Sequence, residues 1–334
     1  MRIVLDGMGS DNHPLPEVKA AVSAASQFGD EILLVGDQAQ LQPLLEKENS
    51  ANAPVRIVHA PEVFKMTEKI SGSALRNEDN SMGVGMDLIK SGEADALITA
   101  GNTGGAMAIA LSRLGRIAGV KRPALSALFP VKGGYCVVTD IGANTECKPE
   151  YLVQFAVMGA VYAEKVLGKQ SPRIGLLSNG EEAGKGNQLV KDTFPKLEQS
   201  GLNFVGNIEG KELFGGEVDV AVMDGFTGNV LLKSSEAVAK LMVDKLREAL
   251  MSSPRTKVGA LLAKPAFKIL NKALDPAEVG AVPLLGVDGL VFVAHGRSNA
   301  HALVSAIRIA RQAVEAGVIE ALRSSIAEEL SGKN

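Results

Sequence analysis

The sequence predicts an α/β protein built as three layers, a mostly parallel sheet with helices on both faces. Nine apolar runs of strand length recur along the chain, at residues 3–5, 32–35, 55–58, 96–99, 136–139, 174–177, 204–206, 218–223 and 290–293. Helix-length segments at 14–28, 81–91, 104–116, 149–167 and 187–200 lie between most of them. Loops rich in Gly, Asn and Asp join several strand ends directly to helices. Continuously apolar strands are those buried on both faces, the condition that crossover helices create. Right-handed crossovers then predict that the strand-end loops share one edge of the sheet.

Taken in order, the loops are the candidate site. The first strand runs into Asp6-Gly-Met-Gly-Ser-Asp11, where Asp6 and Gly9 are candidates. The strand at 96–99 leads to Gly101, Asn102, Thr103 and Gly104, with glycines for close backbone approach and side chains that either cap a helix or donate to a ligand. The strand at 136–139 leads to loop 140–144, with Asn144 and then Lys148 before the Pro149 helix. The strand at 174–177 leads to Asn179, Gly180, Lys185, Gly186 and Asn187. Lys185 stands between two glycines at a helix mouth, in the manner of a phosphate-binding lysine, although no GxxxxGK[ST] P-loop is present. The strand at 218–223 leads to Asp224, Thr227, Gly228 and Asn229, and Asn229 either caps the next helix or donates to an oxyanion. His295 follows the last strand, in Ala294-His-Gly-Arg297. Gathered round one crevice, such loops offer backbone N–H groups and helix N-termini to an anion such as phosphate.

After Asn229 the alternation stops. Residues 230–274 show two helical patterns interrupted at Ser252-Ser-Pro254. The first is expected to bury Leu231, Val238, Leu241, Met242 and Leu250; the second sets Val258, Leu261, Leu262, Ile269 and Leu270 on one face. Pro265 is expected to kink or divide the second pattern, because it lacks the N–H of an interior helix position. The expectation is one domain over 1–334 with a projecting helical hairpin at 230–275. Its cations Arg255, Lys257, Lys264, Lys268 and Lys272 have few acids near them, which fits either a solvated face or a contact with an acidic partner or anionic membrane. A single helix over 299–330 is predicted to close the chain.

Composition bounds the function. With 334 residues, 46% of them apolar, the chain can bury a large core, and 35 basic against 38 acidic residues argue against a nucleic-acid binder. The opening residues read as a strand and no apolar run reaches about 20 residues, so a cytoplasmic location is expected. Cys136 and Cys147 form no CxxC pair, Cys147 has no His near it in sequence, and the acids form no ligand cluster. Neither a covalent cysteine, a metal nor a cofactor is expected.

The ordered set Asp6–Asp11 with Pro14, 100–104, 140–144 with 148–150, 175–180 with 185–187, 224–230 and 294–298 resembles the bacterial phosphate acyltransferases of the PlsX family. The resemblance spans nearly the whole chain. It implies an isocitrate/isopropylmalate dehydrogenase-like fold shared with phosphotransacetylases, a homodimer and peripheral membrane association. It also implies transfer of a long-chain acyl group from acyl carrier protein to inorganic phosphate, giving acyl phosphate for phospholipid synthesis. Phosphate would attack the thioester directly, held by Lys185 and the Gly loops with help from Asn102 and Thr103. Asn229 would stabilise the oxyanion, and a lysine or His295 would assist the leaving thiol. The rivals are a short-chain phosphotransacetylase using coenzyme A, a dehydrogenase, which the missing GxGxxG disfavours, and a non-catalytic anion-sensing membrane adaptor.

Overall fold

The computed structural model describes residues 1–49, 52–65 and 79–331, without the side chains of residues 271–274 and 276. Its strands are β1 (Arg2–Asp6), β2 (Glu31–Gly36), β3 (Val55–His59), β4 (Ala96–Thr99), β5 (Ala124–Val131), β6 (Gly134–Thr139), β7 (Ile174–Leu177), β8 (Phe204–Ile208), β9 (Val220–Val222), β10 (Ala281–Leu285) and β11 (Val291–Ala294). The helices are α1 (Leu15–Phe28), α2 (Gln38–Glu48), α3 (Ser81–Lys90), α4 (Thr103–Arg113), α5 (Pro149–Leu167), α6 (Gln188–Glu198), α7 (Gly210–Gly215), α8 (Gly225–Met251), α9 (Pro254–Leu262), α10 (Lys264–Leu274), α11 (Pro276–Val279), α12 (Ala300–Glu315) and α13 (Val318–Ser331).

The layering follows from side-chain alternation along the strands. In β1, Ile3 and Leu5 enter one core and Val4 the other, all fully buried. The first core is closed by α1, α5, α12 and α13, the second by α3, α4 and α7. These two cores bear out the predicted three layers.

The eleven strands form one sheet in the order β3-β2-β1-β4-β11-β10-β5-β6-β9-β7-β8. The ladders from β3 to β11 are parallel, as are those from β6 to β8, but β11–β10, β10–β5 and β5–β6 are antiparallel. Three reversals leave the two parallel halves running in opposite directions. The strand-end loops therefore divide into two groups, which corrects the expected single edge. Loops 6–11, 100–105 and 294–298 form one; loops 140–148, 178–187 and 224–229 form the other.

The long helix α8 links the groups. Its 27 residues span about 40 Å at ~1.5 Å per residue. It starts among the loops of the second group, and Lys233, two turns on, lies close enough to His295 to act on its charge.

The expected core stripe of α8 is overturned for three of its members. Leu231 and Leu250 are half-buried, but Val238, Leu241 and Met242 are 54%, 57% and 67% exposed. Helix α9 folds back on α8 yet buries no side chain. Pro265 does divide the second pattern, sitting in the first turn of α10. The closing helix is two helices, broken where Gly317 takes a φ of 64°.

Candidate active site

The first group of loops is built on a buried carboxylate. Asp6 is 1% exposed; its Oδ1 accepts the Met8 N–H at 3.1 Å and its Oδ2 the Thr99 hydroxyl at 2.7 Å. Thr99 Oγ1 in turn accepts the Gly101 N–H at 3.0 Å, and Gly9 fits against Gly101. Burial pushes the Asp6 carboxyl up, opposed by the Thr99 hydrogen bond. So enclosed, Asp6 ties loop 6–11 to loop 100–105, and both of its carboxylate oxygens already accept from the chain. Asn102 caps α4, its Oδ1 accepting the Gly105 N–H at 2.9 Å, with Thr103 exposed and Gly104 half-buried beside it. The Asp11 N–H donates to Gly296 O at 2.7 Å, which draws the turn bearing His295 into this group.

Sequence reasoning missed Glu17. It is fully buried in the first turn of α1, and its Oε1 accepts the Ser10 N–H at 3.1 Å. Its signal was an acid at helical spacing on the apolar face of Ala20, Ala21 and Ala24.

The second group repeats the device with more bonds. Asp140 is fully buried. Its Oδ1 accepts the N–H groups of Leu125, Gly142 and Ala143 at 3.0–3.1 Å, and its Oδ2 accepts the Asn144 N–H at 2.7 Å and the Asn144 amide at 2.9 Å. Burial pushes this carboxyl up too, while the loop N–H groups pull it back. The anion nest of loop 140–144 is thus already filled by the chain's own carboxylate. The other hydrogen of the Asn144 amide goes to Pro123 O at 2.8 Å, so the amide braces the loop.

Asp224 and Thr227 also satisfy each other. Asp224 caps α8 by accepting the Thr227 N–H at 2.9 Å and the Thr227 hydroxyl at 2.8 Å. Residues 225–229 are accordingly helix, and Asn229 lies in its second turn and caps nothing. Gly228 allows this turn to dock, since a Cβ there would stand 1.9 Å from Asp140 O. Asn229 is exposed, and its Nδ2 lies 3.2 Å from where a Cβ on Gly142 would be. No hydrogen bond among the described residues holds its amide.

Loop 178–187 has no acid at its strand end. Asn179 Oδ1 accepts the Gly186 N–H at 2.9 Å, and Asn187 Oδ1 caps α6 by accepting the Val190 N–H at 3.0 Å. Gly180 is buried beneath the Lys185 stem. The Lys185 ammonium is exposed and makes no ion pair among the described residues. Because β9 and β7 are paired neighbours, the loops bearing Asn229 and Lys185 leave the sheet side by side. Beyond them, Glu181, Glu209 and Glu212 place carboxylate oxygens within 4.8 Å of one another, and the Lys211 ammonium pairs with all three in the place a metal would take. Lys148 is exposed at the start of α5 without a capping bond.

A family model described as "Fatty acid synthesis protein" matches residues 1–321. The chain belongs to this fatty acid synthesis protein family. Two curated relatives carry the description phosphate acyltransferase. One, from Pelotomaculum thermopropionicum, is 48% identical over 326 residues, covering 98% of this chain and 95% of its own. The other, from Geobacter sulfurreducens, is 45% identical over 331 residues, covering 99% and 96%. Among solved structures, a phosphotransacetylase from Streptococcus pyogenes aligns with a TM-score of 0.62 over 96% of this chain and 94% of its own, at 17% identity, a likeness of fold. This member of the fatty acid synthesis protein family is an acyltransferase.

In this family member the His295 imidazole is harder to protonate than a free one. Burial lowers its pKa below the usual value, and Arg297 and Lys233 lower it further. Lys233→Ala should therefore raise the His295 pKa, the more so because Glu236, now paired with Lys233 at 3.0 Å, is left facing the ring. Titration of the His295 ring protons by NMR checks this; an unchanged or lowered midpoint would contradict the arrangement.

On the hairpin, Arg255, Lys257, Lys264 and Lys268 are exposed beside Leu261, Leu262 and Ile269, themselves 71%, 79% and 73% exposed. Lys272 lies on α10, its side chain outside those described. No helix among the described residues is long and apolar enough to cross a membrane.

Proposed function

We propose that the chain transfers a long-chain fatty acyl group from acyl carrier protein to inorganic phosphate, giving acyl phosphate for phospholipid synthesis. The observation that carries the chemical part is an exposed Lys185 ammonium, without an ion pair among the described residues, and an exposed Asn229 amide, on the loop and the helix that follow two neighbouring strands. In this reading Lys185 holds the phosphate, with the N–H groups around Gly180 and Gly186. A phosphate oxygen attacks the thioester carbonyl, forming the C–O bond as the carbonyl oxygen becomes anionic. Asn229 donates to that oxyanion. Collapse breaks the C–S bond and the sulfur leaves as thiolate, which takes a proton from water. Positioning supplies the rate, since phosphate near neutral pH already has an anionic oxygen to attack with.

His295, near Lys233 one turn beyond Asn229, would assist the leaving thiol, and the lowered pKa of its ring makes any proton it carries easier to give up. Asn102, Thr103 and Gly104, at the N-terminus of α4, would offer further donors to the phosphate. Residues 1–334 act as one catalytic domain, with the arm 230–275 meeting an anionic membrane and a second copy of the chain. Its exposed apolar and cationic side chains support that part, including peripheral membrane association from the cytoplasm.

Incubation with palmitoyl-carrier protein and phosphate should yield a hydroxylamine-sensitive acyl phosphate. Turnover of acetyl-CoA alone would favour a short-chain phosphotransacetylase instead. Lys185→Ala and Asn229→Ala should each lower kcat about 10²- to 10³-fold. Near-normal rates in folded variants would remove those roles.

A further inference from the structure

Two adjoining cavities of about 570 and 380 Å³ lie between the end of α4, the turn 115–123 and the start of α5. They share Leu111 and Arg116, and so form one groove. Three cations line it, Arg116, Lys121 and Arg122, and no carboxylate does. All three are exposed, and none makes an ion pair among the described residues. The wall between them is apolar, from Leu111, Val120 and Tyr151.

The groove is rigidly built. Gln154, 3% exposed on α5, clamps the turn from below: its Oε1 accepts the Lys121 N–H at 2.8 Å and its Nε2 donates to Gly119 O at 3.0 Å. The Arg116 guanidinium donates to Lys121 O, and the Arg122 guanidinium stands 5.9 Å from the centre of the Tyr151 ring. Two guanidinium groups held by backbone and ring beside the Lys121 ammonium, with no acid among the described lining residues, form a preorganised positive surface.

Its position matters as much as its charge. Pro123, in the groove wall, accepts from the Asn144 amide, and Asn144 O accepts the Gly225 N–H at 2.7 Å. Two hydrogen-bonded steps therefore lead from the groove to the helix that presents Asn229. A partner seated in the groove would have its attached group delivered beside the second group of loops.

We infer that this groove docks an acidic protein helix, that of the carrier bearing the acyl thioester, whose apolar side would lie along Leu111, Val120 and Tyr151 while its carboxylates meet Arg116, Lys121 and Arg122. The inference rests on the function proposed above. It moves carrier recognition away from the hairpin, whose broad exposed apolar face fits lipid or a second copy. Charge steering by such a groove acts mainly on encounter and weakens with salt.

The test compares wild type with the triple variant Arg116→Glu/Lys121→Glu/Arg122→Glu, and with Lys264→Glu/Lys268→Glu, on two donors. With palmitoyl-carrier protein at low salt, the groove variant should show a KM raised at least tenfold and a flattened salt dependence. With palmitoyl-CoA, which lacks an acidic protein, its kinetics should match wild type. The hairpin variant should keep the wild-type KM for the carrier. An unchanged carrier KM in the groove variant, or an equal loss on both donors, overturns the inference. A wild-type enzyme inactive with the carrier would instead sink the proposed function. If the triple variant fails to fold, Lys121→Glu alone, judged by its binding to the carrier in fluorescence anisotropy, decides in the same way.

Discussion

Asp140→Ala is expected to lower the stability of the chain by about 4 kcal/mol, because one buried and several part-buried donors lose their acceptor together. The Leu125 N–H, the three N–H groups of loop 142–144 and the Asn144 amide all address this one carboxylate. An alanine leaves them facing a dry hole. Asp140→Asn keeps one acceptor oxygen in the same shape and should cost roughly half as much on the same reasoning. Denaturant midpoints at unchanged slope read both losses. A cost below about 1 kcal/mol for the alanine variant would mean that the loop has other partners for these groups.

Gly228→Ala should be comparably severe for a steric reason. A methyl group 1.9 Å from Asp140 O has no room, and the obstructing atom is backbone on a loop pinned by its own carboxylate. Either α8 backs away or loop 140–144 yields, at about 3–5 kcal/mol. Backing away also displaces Asn229, the next residue. Activity should therefore fall even at temperatures where the variant stays folded, and phosphate-dependent turnover alongside circular dichroism separates the two losses. A variant that is fully active and melts like wild type would show that the first turn of α8 does not sit tightly on Asp140.

The parallel halves of the sheet were legible because their strands are uninterrupted apolar runs. β4 and β7, at Ala96–Thr99 and Ile174–Leu177, were read to the residue. Strands β5 and β10 were not read, and each contains a proline, Pro130 and Pro283. Proline argues against a strand since it cannot donate to a ladder. Those are the two strands whose pairing reverses the sheet. Missing them made all the loops look like one crevice.

The site was legible in part. The side chains of Lys185 and Asn229 are exposed, with no ion pair or amide hydrogen bond among the described residues, and their loop position alone could suggest them. At Asp6, Asn144, Asp224 and Thr227 the sequence did not show the internal hydrogen bonds, because the same residue types that bind anions also fold loops onto themselves. An acid at the strand end was the available clue, since its carboxylate takes up the loop's N–H groups before any ligand can. The groove at Arg116 passed unnoticed because three cations in a short turn read as ordinary surface until Gln154 is seen holding them.

Under the function proposed above, covering the exposed apolar side chains of α8–α10 would give this chain a stability that depends on company. Whatever binds that face only when the chain is folded, lipid or a second copy, draws the unfolding equilibrium back by mass action. Its melting temperature is then a property of a mixture, rising with the concentration of the covering surface, and a value taken from dilute chain alone describes the least protected state of the molecule.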